Sequence, residues 1–124
     1  MFGIFNFKAR EIRQLNRDAS AIIENARESY RSELVRDIAV LVHQKIVEAE
    51  DNCGDDPACL QRALDHFRRL HRESRKRNDH VGFTAYTLII IYLRAGLIGP
   101  ECSPARTAID RFLDDWRHAL EEDN

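Results

Sequence analysis

Residues 7–51, FKAREIRQLNRDASAIIENARESYRSELVRDIAVLVHQKIVEAED, contain neither glycine nor proline. Ile12, Leu15, Ala19, Ile22, Ile23, Ala26, Tyr30, Leu34, Ile38, Leu41, Val42, Ile46 and Ala49 recur at helical spacing and form one apolar stripe, with charge elsewhere. The pattern predicts a single first helix over about residues 7–51, which at about 1.5 Å per residue reaches on the order of 65 Å.

Punctuation follows directly. Asn52-Cys53-Gly54-Asp55-Asp56-Pro57 closes one helix and opens the next, with Gly54 suited to a left-handed cap, Asp56 to an N-cap and Pro57 to the first helical position. The second helix runs to about Asn78, turning Leu60, Ala63, Leu64, Phe67, Leu70 and Ser74 inward. After Arg77-Asn78-Asp79 a third covers about residues 80–95; its Leu88-Ile89-Ile90-Ile91-Tyr92-Leu93 stretch is apolar on every side, so it belongs in the middle. Gly96 and Gly99-Pro100 end it. Ser103-Pro104 then begins a fourth helix, which buries Ala105, Ala108, Ile109, Phe112, Leu113, Trp116, Ala119 and Leu120. The expected fold is all-α: a long N-terminal helix plus three antiparallel helices, in one domain over residues 1–124.

Those three helices span only about 25–33 Å each and cannot cover a 65 Å rod. Residues 1–26 are therefore expected to protrude as an arm from a compact body over residues 30–122. The arm carries Ile12, Leu15, Ala19, Ile22 and Ala26 at 3-4-3-4 spacing, the seam of a coiled coil, preceded by Phe2, Ile4, Phe5 and Phe7. Burying one such side chain is worth roughly 1.5–3 kcal/mol, which favours association, and a homodimer formed through the arm is expected. Two alternatives stand beside it. The helix breaks near Asn16-Arg17-Asp18 or Ser29 and folds back, or the apolar tip, with Lys8, Arg10 and Arg13, rests on an anionic membrane surface. Residues 1–50 hold eight basic and eight acidic groups, a balance that disfavours the membrane.

Composition agrees with a soluble helical chain: 124 residues, 32% charged, 44% hydrophobic and a net charge of −2. The start lacks the features of a secretory signal, and the apolar run over residues 81–98 reads as too short and too polar to span a bilayer, so a cytoplasmic location is expected. Three cysteines then read as reduced thiols. Residues 57–80 carry a net charge of +4 and residues 101–124 a net charge of −4. The basic run Arg68-Arg69-Leu70-His71-Arg72-Glu73-Ser74-Arg75-Lys76-Arg77 lacks base-stacking aromatics and a helix-turn-helix spacing, so no nucleic-acid partner is expected; mutual neutralisation with the acidic tail is.

Leu88, Tyr92 and Gly96 have the L-x3-Y-x3-G spacing, and Ala63-x3-Phe67 and Ala108-x3-Phe112 the A-x3-F spacing, in which a small residue lets helices approach and an aromatic fills the gap. In these motifs residues 57–120 resemble tetratricopeptide-repeat hairpins. Ile89 stands where that family has glycine, and residues 97–103 lengthen its turn. The resemblance implies a helical scaffold for protein partners, without catalysis.

Catalytic patterns are missing: Asp115-x2-His118 occurs without the second motif that a carboxylate-bridged diiron bundle needs, and no phosphate loop or nucleophile elbow is present. No cofactor and no metal are expected. The chain reads as a non-catalytic interaction or adaptor module of unidentified protein partner, with Tyr86, Tyr92 and Trp116 as further contact residues beside those of the arm. The rival is a metal- or redox-responsive regulator using Cys53, Cys59 and Cys102, including a Cys53–Cys59 disulfide.

Overall fold

A computed structural model describes the backbone of residues 2–122 and the side chains of residues 7–121. Six helices follow one another: α1 (Phe2–Ser29), α2 (Ser32–Cys53), α3 (Pro57–Lys76), α4 (His80–Ile98), α5 (Ser103–Asp115) and α6 (Arg117–Glu122), with a 3-10 turn at Pro100–Cys102 before α5. The all-α class is as expected, and among the described residues no strand occurs.

The long first helix is corrected. It is two helices, because the chain leaves helical geometry at Tyr30 and Arg31, where Arg31 is extended (φ −66°, ψ 156°). The chain folds back at this bend, and α1 packs on α5, α4 and the 3-10 turn. Ala19, Ile23 and Ala26 are buried, and Ile12, Leu15 and Ile22 lie half-buried against the core. Residues 12–26 are therefore a wall of the bundle and not an arm. The energies explain the choice. Interrupting the helix forgoes backbone hydrogen bonds of about 1 kcal/mol each, whereas a straight rod would leave several side chains worth roughly 1.5–3 kcal/mol each in water.

The remaining connections form for the reasons their sequences give. Gly54 takes a left-handed φ of 55° and returns its N–H to Glu50 O, while Asp56 accepts from Ala58 N to cap α3 ahead of Pro57. Between α3 and α4, Asn78 tolerates φ 55° and the Asp79 carboxylate accepts from Gly82 N. Gly82 leaves room for this cap: a Cβ there would meet the Asp79 carboxylate and the buried Ser74 hydroxyl, and those side chains would have to shift.

Helix α4 sits centrally, as expected, packed on α3, α2, α5 and α1. Its 19 residues are long and apolar enough to cross a membrane, contrary to the expectation from sequence; here it is the core helix. Leu88, Ile89, Ile91 and Leu93 meet Ile38, Val42, Leu64, Ile109 and Phe112 in the single core. The fourth helix is shorter than expected, stopping at Trp116 before α6, which packs on α2.

Candidate interaction surface

Three polar contacts key α1 to the rest of the bundle. The Asn16 amide donates to Glu101 O (3.0 Å) and accepts from Ala105 N (3.0 Å). This is an N-cap supplied by another helix: the residue before α5 is Cys102, which makes no side-chain cap, and Ser103 is already helical. Arg94 of α4 grips Glu11 with two bonds, 2.7 and 2.9 Å long, which pull the Glu11 carboxyl below the usual range and push Arg94 up. Arg27 reaches Asp115 at 2.6 Å with its guanidinium 5.7 Å from the Phe112 ring centroid. Nothing near Asn16 in the sequence announces its role, since its partners lie far along the chain. Asn16→Ala is expected to lower stability by about 1–2 kcal/mol, read as a shift of the urea midpoint at unchanged slope.

The expected contact residues now divide. Phe7 is 73% exposed at the head of α1. Phe2, Ile4 and Phe5 have side chains outside the described ones. Ile12, Leu15 and Ile22 are turned to the core. Tyr92 is not a surface residue either: it is buried, its hydroxyl donates to Asp110 (3.0 Å), and Arg106 covers its ring at 4.2 Å. Burial, with Asp110 beside it, pushes its hydroxyl up to about 12. Tyr86 is half-buried and stacks on Phe67, and Trp116 is half-buried at the end of α5.

The cysteines separate as well. Cys53 and Cys59 are joined in a disulfide across the α2–α3 turn, correcting the expectation of reduced thiols. Cys102 is free and buried, and burial raises its thiol pKa. The three do not come together as ligands, and among the described residues no group of three His, Cys, Asp or Glu could hold a metal. Closing so short a loop stabilises by about 2 kcal/mol in the chain-entropy account. Thermal unfolding with and without reductant is expected to show that difference, and Cys53→Ser should abolish the reductant's effect.

A surface cleft of about 650 Å³ lies between α1 and α5, lined by Ile23, Glu24, Arg27, Arg111, Phe112 and Asp115. The Arg27–Asp115 pair belongs to its wall, and charges of both signs line it without a nucleophile and base in contact. The basic residues of α3 are exposed, and Arg68 pairs with Asp65 of its own helix (3.7 Å).

His71 is the other perturbed group. Thr87 Oγ1 donates to Phe83 O (2.7 Å), so it accepts from His71 Nε2 (2.9 Å), while the ring stacks on Phe83. Burial, then Arg75 and Arg72, lower its pKa from 6.5. A histidine depressed in the folded state makes the unfolded chain bind more protons, so its stabilisation is present above about pH 6.5 and is lost as pH falls toward the folded value. Unfolding free energy measured from pH 7.5 downward is expected to decline through this window, and His71→Gln to flatten that part of the profile.

No family model, curated protein or solved structure matches the chain.

Proposed function

We propose that the chain is a non-catalytic helical interaction module that self-associates through its N-terminal helix. Phe7 carries the reading: a large apolar side chain stands in water at the head of α1, while the apolar face further along the same helix is sheltered. Phe2, Ile4 and Phe5 precede it in the sequence and make this end of the chain its most apolar terminus. The tetratricopeptide-like spacings in α3, α4 and α5 favour the same scaffold role, with protein and not nucleic acid as partner.

Light scattering over a range of concentrations tests the reading. A particle of twice 14.4 kDa supports it. A monomer throughout overturns it.

A further inference from the structure

We propose that the partner is a second copy of this chain and that the two exchange α1, each laying its first helix on the α4 and α5 of the other. The inference rests on the self-association just proposed and assigns its contacts to the sheltered face of α1; Phe7, exposed on that helix, is not among the exchanged contacts.

The hinge is the first ground. Only Tyr30 and Arg31 interrupt helical geometry between Phe2 and Cys53, and no glycine or proline lies between Gly3 and Gly54. Arg31 stands at the N-cap position of α2 without a side-chain cap, so the bend is held by Tyr30 lying half-buried against the core and not by a cap. Straightening it restores intrahelical hydrogen bonds and keeps the apolar stripe in register, because that stripe continues at helical spacing from Ala26 through Tyr30 and Leu34 to Ile38. The rod that the sequence predicts is then the hinge conformation of the exchanged dimer.

The second ground is where α1 makes its contacts. It packs mainly on α5, α4 and the 3-10 turn, and only slightly on α2, the helix to which it is covalently joined. Asn16, Glu11 and Arg27 reach Glu101, Ala105, Arg94 and Asp115, and none of these partners lies on α2. The whole keyed set can therefore re-form on another subunit once the hinge opens. Exchange of an identical element keeps every such contact and adds the continuous hinge, which is why it is a low-cost route to a dimer.

Bridging tests this directly. The full chain carrying Arg27→Cys and Asp115→Cys, two exposed positions in contact, is refolded at high protein concentration and treated with a short bismaleimide. Cys102 is buried and Cys53 is paired with Cys59, so the new thiols react first. Exchange gives covalently linked pairs of chains on a denaturing gel. If light scattering shows a dimer but the gel shows only single chains bridged internally, self-association stands and exchange is overturned. If the protein is monomeric, both fall. Arg31→Pro supplies a second readout, because proline matches the φ of −66° in the bent form and is excluded from a helix interior. It should weaken dimerisation by about a hundredfold or more. Unchanged dimerisation in this variant would contradict exchange.

Discussion

Replacing Phe112 by alanine is expected to remove about 3–5 kcal/mol of stability. The ring is 1% exposed and is the largest of the fully buried side chains, set on α5 where that helix faces α1 and α4. Truncation forfeits the transfer free energy of the ring and leaves a cavity that three rigid helices cannot close. For a domain of this size the whole folding free energy is about 5–15 kcal/mol, so the variant should melt many degrees lower. Arg27 lies over the same ring, so α1 should loosen first, and amides of α1 should lose hydrogen-exchange protection ahead of those of α4. Equal loss across all helices would show that α1 and the remainder unfold as one unit.

Ala19→Glu and Ala21→Glu should differ by about 3 kcal/mol or more, although the positions are two residues apart on one helix. Ala19 is fully buried between α1 and the body of the bundle, while Ala21 faces solvent. At position 19 a carboxylate would enter the core without a partner, or force α1 away from α5. At position 21 it should change stability by no more than about 0.5 kcal/mol. A protruding arm would leave the monomer's stability insensitive to both substitutions. Chemical denaturation of the two variants side by side therefore separates the wall from the arm.

Much of the architecture was legible because its signals are local. Gly54, Asp56 and Pro57 act within a few residues of themselves, and so does Asp79 on Gly82. The inward sets of α3 and α5 and the central place of α4 follow from spacing alone, and Leu64, Phe67, Leu88, Ile109 and Phe112 are all buried as expected. The bend at Tyr30 and Arg31 was not legible in the same way. No residue there forbids a helix, and the stripe on α1 has the same periodicity whether it meets its own bundle or another chain. Only the existence of an uncovered face on α4 and α5 decides the matter, and that face is assembled from residues about 50 to 90 positions later.

The surface residues were missed for a related reason. Tyr92 looked like an aromatic edge, yet a helix that is apolar all round offers no outside for it, and Asp110 satisfies its hydroxyl within the fold. Asn16 looked like a candidate helix break, whereas its amide caps a helix that begins almost ninety residues later. The Cys53–Cys59 bond depends on how tightly the α2–α3 turn closes, and a six-residue separation does not by itself fix that. Of the apolar tip, Phe7 is the residue whose side chain is described, and it is exposed on the single chain.

Nuclear magnetic resonance of the uniformly labelled chain tests the folded-back α1 most directly. Cross-peaks between the Arg27 side chain and the Phe112 ring, and between the Asn16 amide and the Ala105 N–H, are expected, together with non-helical carbon shifts at Tyr30 and Arg31 at dilutions where light scattering shows the monomer. Absence of those cross-peaks, with helical shifts running unbroken from residue 26 to residue 36, would contradict it.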